Sequence, residues 1–167
     1  MHWIEPYIAA YGSIALFIII YFESFGAPVP GESVLIVSSL LAQQGTLSLP
    51  VMLTAVFFAA ILGDSTGYLI GHFGGRKVLL RFGPYVKLTP ERLQKFEALF
   101  EKYGSGIVIT ARFIAVLRQL NGIMAGALKM HWLKFVSANI IGAALWVLVW
   151  GAGPYYFSAL FRSFISN

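Results

Sequence analysis

Long apolar stretches, separated by broken or charged ones, dominate the chain. Residues 6–22, 51–73 and 135–153 form runs of 17, 23 and 19 residues, and only the second contains a charged residue, Asp64. A helix rises about 1.5 Å per residue, and the hydrocarbon core of a bilayer is about 30 Å thick. The first run is therefore barely long enough to cross a membrane, whereas the second and third predict transmembrane helices.

Two further apolar stretches are too short or too interrupted for an ordinary span. Residues 33–42 are only ten uncharged residues, and they follow residues 26–31, whose two prolines and two glycines forbid a continuous helix. Residues 106–128 are long enough but include Arg112 and Arg118. Broken segments of this kind are typical of re-entrant hairpins that line a substrate cavity. The alternative is a plain loop in the first case and an ordinary span with buried arginines in the second.

One hydrophilic segment, residues 76–103, contains seven Lys or Arg residues and three Glu residues. Short loops with such an excess of positive charge stay in the cytoplasm. Within this segment Thr89 is a suitable N-cap and Pro90 a suitable first helical residue, and apolar residues follow at helical spacing. Residues 90–103 are therefore predicted to form an amphipathic helix at the cytoplasmic membrane surface.

The charge pattern orients the segments and divides the chain into two similar halves. If residues 76–103 are cytoplasmic, the hairpin at residues 24–44 enters the membrane from outside, and the hairpin at residues 104–128 enters from the cytoplasm. Each hairpin precedes a transmembrane helix, at residues 51–73 or 131–153, and the two halves have opposite orientations. This arrangement is the inverted repeat found in many secondary transporters.

The composition indicates an integral membrane protein. Hydrophobic residues make up 58% of the chain and charged residues 11%, with a mean hydropathy of +0.76, whereas soluble domains are roughly 25% charged. This balance excludes a soluble globular or disordered protein, and the N-terminus lacks the positive charge of a secretory signal. We predict a single all-α membrane domain over residues 1–167. It contains an N-terminal helix (1–22), the cytoplasmic amphipathic helix, and the inverted repeat of re-entrant hairpin plus transmembrane helix.

Five ionisable residues lie at membrane depth in this arrangement: Glu23, Glu32, Asp64, Arg112 and Arg118. Each costs roughly 2.5–3.5 kcal/mol at the bilayer centre, so each is expected to face a cavity or a partner. The guanidinium fork of arginine fits phosphate or carboxylate, and a carboxylic acid in a low-dielectric pocket exchanges protons near neutral pH. We therefore predict that the two arginines bind an anionic substrate and that the three acids couple its movement to protons. The alternative is a set of structural ion pairs between the hairpins.

Small and aromatic residues predict where the helices meet each other and the membrane surface. Rows of glycine at a spacing of four let helices pack backbone to backbone in lipid, and two such rows occur: Gly63, Gly67, Gly71 and Gly75, and Gly122 with Gly126. The first row places Asp64 at a helix contact rather than against lipid. The four tryptophans and a pair of tyrosines are mostly interpreted as belts at the membrane interfaces: Trp3, Trp132, Trp146, Trp150, Tyr155 and Tyr156.

Enzyme and cofactor motifs do not occur in the sequence. The three histidines are scattered, and none has the spacing of an HExxH zinc motif. The sequence has neither a nucleophile elbow nor a nucleotide-binding glycine loop. Because the chain has no cysteine, thiolate chemistry and Cys-ligated metals are excluded. We expect a protein that is not an enzyme and that needs no metal or other cofactor.

An ordered set of motifs resembles the DedA family of bacterial membrane proteins. The motifs are, in chain order, Phe22-Glu23, Pro28-Val29-Pro30-Gly31-Glu32, Gly63-Asp64-Ser65-Thr66-Gly67-Tyr68-Leu69-Ile70-Gly71, Arg112-Phe113-Ile114 with Arg118, and Ala125-Gly126 before Met130 and Phe135. The resemblance covers roughly residues 21–150. The DedA family shares its VTT (SNARE-associated) domain with eukaryotic lipid scramblases.

The resemblance implies a fold with two re-entrant hairpins and a function in lipid transport. Similar proteins are implicated in moving phosphate-bearing lipids such as undecaprenyl phosphate or phosphatidylethanolamine across the cytoplasmic membrane, linked to the proton motive force. By this resemblance, the essential residues are the acids Glu23 and Glu32 and the arginines Arg112 and Arg118.

The second hairpin departs from the family pattern between its two arginines. The family usually has Pro-Gly there, whereas this chain has Ala115-Val116. Six residues along a straight helix place the two arginines about 120° apart, so a shared ligand requires a break. The sequence leaves two positions for that break, near Ala115 or at Asn121-Gly122.

The function predicted from these observations is a flippase for a phosphate-bearing lipid, coupled to protons, in a multi-pass protein of the bacterial cytoplasmic membrane. The expected partners are membrane lipids with phosphate headgroups, without nucleic acid. The oligomeric state stays open, with a homodimer as one alternative. Two other functions fit the same sequence: a passive scramblase or membrane-organising protein, and a transporter of small anions.

Overall fold

The structure is a computed structural model that describes the backbone of residues 5–165 and the side chains of residues 11–81, 83–85 and 87–160. In that part of the chain the fold is all-helical, which confirms the predicted class, and the α-helices are α1 (Glu5–Glu23), α2 (Gly31–Gln43), α3 (Leu49–Phe82), α4 (Pro90–Tyr103), α5 (Ser105–Thr110), α6 (Ala115–Ala127), α7 (Trp132–Val147) and α8 (Gly153–Ile165). The predicted start of the first helix at residue 1, and Trp3, lie outside the described residues.

Two helical segments in the described chain are long and apolar enough to cross a membrane. The first is Leu49–Arg81 in α3, and the second is Trp132–Leu160, in which α7 continues through a π-helical turn, Leu148–Ala152, into α8. Helix α3 has 34 residues, which corresponds to a length of about 50 Å. Gly75 interrupts it with a φ of 58° and a ψ of −153°, so the part that follows leaves in a new direction.

A non-helical loop separates α1 from α2. Residues 24–30 form this loop, and its two prolines and Gly26, which has a φ of 109°, account for the interruption. Helix α1 packs against α3, whereas α2 packs against α8 and the π-helical turn. The hydroxyl of Ser39 in α2 donates a hydrogen bond of 2.6 Å to the carbonyl oxygen of Gly151 in that turn. Helices α1 and α2 are thus held by different partners.

A second break lies at Ile114, between a 3-10 turn (Ala111–Phe113) and α6. The backbone of Ile114 is extended, with a φ of −119° and a ψ of 113°. The break is therefore next to Ala115, and the alternative position, Asn121-Gly122, is wrong because α6 continues through it. Gly122 has another role there: a methyl group on its Cα would lie 2.1 Å from the carbonyl oxygen of Asp64.

Close backbone packing between α3 and α6 forms the centre of the fold. A methyl group added at Gly71 would lie 2.0 Å from the carbonyl oxygen of Ile123, and one at Gly126 would lie 1.9 Å from that of Tyr68. The glycine row was predicted to serve helix packing, and this is confirmed at Gly63, Gly67 and Gly71 but wrong at Gly75. No atom lies within 4 Å of a Cβ built at Gly75, where glycine instead permits the positive φ of the kink.

Helix α4 has the bounds expected from the sequence. The hydroxyl oxygen of Thr89 accepts a hydrogen bond from the backbone N–H of Arg92, as an N-cap does, and Pro90 is the first helical residue. Leu93 and Phe100 are buried in the same apolar cluster as Val108 and Phe135, whereas most of the remaining side chains of α4 are exposed. The helix is therefore amphipathic, with one face packed on the helical body.

Candidate functional site

Arg118 is held between two carboxylates deep inside the protein. Its Nη2 lies 2.7 Å from Oε1 of Glu23, and its Nη1 lies 2.9 Å from Oε2 of Glu32. The side chains of Arg118 and Glu23 are only 5% and 4% exposed, whereas that of Glu32 is 34% exposed. The acids around the first break thus form ion pairs with an arginine from the second, which is the arrangement that the sequence left as an alternative, and one acid stays accessible from outside the cluster.

The loop between α1 and α2 positions both acids. Glu23 is the last residue of α1, and its Oε1 also accepts a hydrogen bond of 3.2 Å from the backbone N–H of Gly31, the first residue of α2. Gly31 has room for this contact only without a side chain, because a methyl group there would lie 2.1 Å from Oε2 of Glu23. Glu32 lies in the first turn of α2, where the helix dipole favours a negative charge.

Arg112 belongs to a second cluster, which is completely enclosed. Its Nη2 donates hydrogen bonds to Oδ2 of Asp64 and to Oδ1 of Asn139, and it lies 3.5 Å from the carbonyl oxygen of Ala60. The amide nitrogen of Asn139 in turn donates to the carbonyl oxygen of Ile61 at 3.3 Å. Arg112, Asp64 and Asn139 are all buried. This network ties the 3-10 turn before Ile114 to both long helical segments, α3 and α7.

The two arginines do not share a ligand. The break at Ile114 separates them, yet each one binds its own carboxylates: Arg112 binds Asp64, and Arg118 binds Glu23 and Glu32. The sequence predicted that a break would let both arginines reach one ligand, and the described contacts differ from that expectation. Each arginine thus has carboxylate partners within the protein, which a buried charge needs to offset the cost of its desolvation.

Trp146 completes the wall of the Arg118 cluster. The guanidinium carbon of Arg118 lies 5.1 Å from the centre of the Trp146 ring, in the range of a cation–π contact. Trp146 is 1% exposed, so its assignment to an interfacial belt is wrong. Because α7 continues into α8, Trp146 lies in the middle of the Trp132–Leu160 span rather than near its end.

Two asparagines with buried side-chain contacts, Asn121 and Asn139, were not predicted as site residues from the sequence. Asn139 binds Arg112, and Asn121 donates a hydrogen bond of 2.9 Å to the carbonyl oxygen of Val108, which joins α6 to α5. The available signal was their position, since a polar amide inside a long apolar stretch needs a partner. A neutral side chain costs less than a charge in lipid, so that signal is weaker than the signal of an arginine.

Several buried polar atoms of the two clusters have unused hydrogen-bonding capacity. Among the described residues, Nε of both arginines, Nε1 of Trp146 and Oδ1 of Asp64 have no hydrogen-bond partner. The two that belong to the Arg118 cluster, Nε of Arg118 and Nε1 of Trp146, are hydrogen-bond donors, whereas Nε of Arg112 and Oδ1 of Asp64 lie in the enclosed cluster. No group of three His, Asp or Glu side chains suited to a metal ion occurs in the described chain.

Comparison with known proteins connects this site to one family. The VTT domain profile matches residues 29–153, which include Glu32, Asp64 and both arginines. Protein DedA of Escherichia coli strain K12 is 34% identical over 87% of this chain and 68% of its own length. An uncharacterized membrane protein of Synechocystis is 36% identical over 87% of this chain and 67% of its own length. The uncharacterized membrane protein YbfM of Bacillus subtilis is 30% identical over 89% of this chain and 92% of its own length. No solved structure matches the chain.

Proposed function

The chain belongs to the DedA family of VTT-domain membrane proteins, and from that premise we propose that it transports a phosphate-bearing lipid across the bacterial cytoplasmic membrane, coupled to protons. The observation that carries the proposal is the contact of one buried arginine with two carboxylates, of which only Glu32 is accessible. In such a cluster, the arginine can replace its contact with the Glu32 carboxylate by a contact with a phosphate group.

The architecture that we propose is an inverted repeat. The loop at residues 24–30 and α2 form one re-entrant hairpin after the N-terminal helix α1, and α5 and α6 form another around Ile114. Helix α3 and the continuous α7–α8 segment are the spans that follow them. The basic residues of 76–103 favour a cytoplasmic position for α4, and two membrane-crossing spans would make the protein multi-pass. The two breaks then meet near the middle of the membrane, at Arg118.

The charge of the cluster explains why anion binding would need a proton. One guanidinium faces two carboxylates, so the ionised cluster has a net negative charge and repels an approaching phosphate. Protonation of Glu32 removes one negative charge and weakens its hold on Nη1 of Arg118. The released N–H can donate to a phosphate oxygen, and charge-assisted bonds of this kind are the strong ones. Loss of the proton restores the carboxylate contact and expels the phosphate.

Glu23 and Arg112 have supporting roles in this mechanism. Glu23 stays paired through Nη2 of Arg118 and the N–H of Gly31, so it keeps the arginine oriented while Glu32 exchanges. Arg112 and Asp64 are sealed inside the protein and hold the second hairpin against both spans. In this proposal, Asp64 couples to protons only when the second hairpin moves, whereas Glu32 does so directly.

A transporter of small anions is a second candidate, and the burial of Arg118 favours it. Arg118 is 4% exposed and is enclosed by carboxylates and Trp146, so a small anion would need less rearrangement than a lipid headgroup. The two functions differ in substrate but use the same exchange at Arg118. A passive scramblase, in contrast, would need no exchange of protons.

Reconstituted vesicles can test the proposal. The purified protein is incorporated into vesicles with fluorescent phosphatidylethanolamine, and the transfer of this lipid between leaflets is measured with and without a pH gradient. We expect transfer to respond to the gradient in the wild type but not in Glu32→Gln, which cannot change its charge. Glu97→Gln is a matched control, because Glu97 pairs with Arg76 outside the site.

The outcomes separate the candidate functions. A Glu32→Gln protein that responds to the gradient as the wild type does would contradict coupling through Glu32. Lipid transfer by the wild type without any response to pH would support a passive scramblase. Uptake of inorganic phosphate without transfer of lipid would support the small-anion transporter.

A further inference from the structure

A cavity of about 300 Å³ lies between the loop after α1 and helices α3 and α6, and its wall is almost entirely apolar. Residues 25–27 of the loop form one side, Ile70 and Val78 of α3 form another, and Leu120 and Ile123 of α6, with Tyr85 of the 3-10 turn after α3, complete it. The volume is at the lower end of the range of roughly 300–1,000 Å³ typical of ligand pockets. The lining includes no charged side chain, so the cavity cannot by itself select an anion.

The cavity and the arginine cluster are built from residues that are close in the sequence. Residues 25–27 come shortly after Glu23, and Leu120 comes two positions after Arg118 on the same helix. The loop also lies close to α6 at this point, because a methyl group on Gly26 would be 3.8 Å from the carbonyl oxygen of Gln119. The polar cluster and the apolar cavity are thus built from the same two segments of the chain.

We infer that this cavity holds a hydrocarbon chain of the lipid whose phosphate Arg118 binds, an inference that rests on the proposed function. A phosphate-bearing lipid is one polar group attached to long apolar chains, and the neighbouring cluster and cavity match those two parts. A long chain makes more van der Waals contacts with the apolar wall than a short chain does. A small anion would leave the cavity unused, so occupation by a chain distinguishes a lipid substrate from a small anion.

Native mass spectrometry of the purified protein in detergent can test the inference with two probes of equal headgroup. Dioleoyl phosphatidic acid has long chains, and dihexanoyl phosphatidic acid has short ones. We expect the wild type to bind the long-chain probe at least about tenfold more tightly. In Ile70→Trp the larger side chain fills the cavity, so this preference should disappear while short-chain binding persists.

A neighbouring residue supplies the matched control. Leu69 and Ile70 are adjacent in α3 and are 49% and 38% exposed, but only Ile70 lines the cavity. Leu69→Trp should therefore keep the chain-length preference. Ala27→Phe, which fills the cavity from the loop, should repeat the effect of Ile70→Trp and serves if the latter protein does not fold.

Other outcomes would overturn the inference or the function on which it rests. A chain-length preference that survives both cavity-filling variants would show that no chain occupies the cavity. A change in the number of protomers in Ile70→Trp would instead identify the cavity as an interface between copies. Arg118→Lys should weaken both probes alike; if it changes neither while Ile70→Trp abolishes the preference, the phosphate site is wrong and the chain site stands.

Discussion

The guanidinium of Arg118 lies over the indole ring of Trp146, 5.1 Å from the ring centre, and both side chains are buried. The two carboxylates bind the terminal nitrogens of the guanidinium, while its carbon lies over the indole ring. Because Arg118 is on α6 and Trp146 on α7, this contact orients the arginine with respect to the second span. A desolvated cation–π contact contributes about 2 kcal/mol.

Replacement of Trp146 should affect transport in proportion to the aromatic surface that remains. Trp146→Phe keeps a ring over Arg118 and should retain most of the transport, whereas Trp146→Leu loses the cation–π contact of about 2 kcal/mol and should reduce both transport and thermal stability. The measurements are lipid transfer in vesicles and the midpoint of thermal unfolding in detergent. Phe58→Leu, at an exposed position of α3, is the control. Equal transport by the Leu and Phe proteins would show that the ring does not orient Arg118.

Labelling of single cysteines should place the two halves on opposite sides of the membrane. The chain has no cysteine of its own, and Gln44, which follows α2, and Lys95 on α4 are both exposed. If the proposed inverted repeat is correct, a membrane-impermeant maleimide added to intact cells reacts with Gln44→Cys but not with Lys95→Cys. Both should react after the cells are opened. Reaction of both positions from outside would contradict the proposed orientation.

The charged residues of the site could be predicted because a charge buried in a membrane has a large free-energy cost. A charge inside a bilayer needs a partner, so the positions of Glu23, Glu32, Asp64, Arg112 and Arg118 alone indicated an internal cluster. The sequence did not determine which acid meets which arginine. That choice depends on how α6 packs on α3, and hence on glycine contacts between residues that are far apart in the chain.

The break at Ile114 could not be located because its local signal is weak. Loops usually contain glycine or proline, which favoured Asn121-Gly122, whereas Ile114 is a β-branched residue that adopts extended backbone. In the structure, the backbone contact with Asp64 accounts for Gly122. Trp146 was assigned to an interface because the apolar run ends near residue 153, a short distance after it. In the structure the helix continues beyond that point, so Trp146 lies near the middle of the span.

Substitution of Gly122 should test the packing of α3 on α6. A methyl group at this position would lie 2.1 Å from the carbonyl oxygen of Asp64, so Gly122→Ala must separate the helices. Overpacking of this kind costs roughly 1–3 kcal/mol, and the thermal midpoint should fall accordingly. Gly106→Ala is the control, because no atom lies within 4 Å of a Cβ built at this exposed helical position. An unchanged midpoint in Gly122→Ala would contradict the close approach.

Lysine substitutions should distinguish the two arginines. Lysine keeps the positive charge but lacks the planar fork, so it can pair with one acid but cannot hold Glu23 through one nitrogen while a second nitrogen donates to the phosphate. If the proposed exchange at Arg118 is correct, Arg118→Lys loses most of the transport while the yield of folded protein stays near that of the wild type. Arg112→Lys should retain transport, because Arg112 is enclosed and ties together helices rather than binding substrate.

Alanine substitutions complete this prediction. Arg112→Ala leaves Asp64 buried without its partner, and Arg118→Ala leaves Glu23 in the same condition. Removing one member of a buried ion pair costs roughly 3–5 kcal/mol, so both alanine proteins should unfold at lower temperature in detergent, whichever arginine binds substrate. Only the lysine variants therefore report on phosphate binding. Full lipid transfer by Arg118→Lys, measured beside an unchanged folded yield, would refute the proposed exchange at Arg118 and leave this residue as a structural partner of the two glutamates.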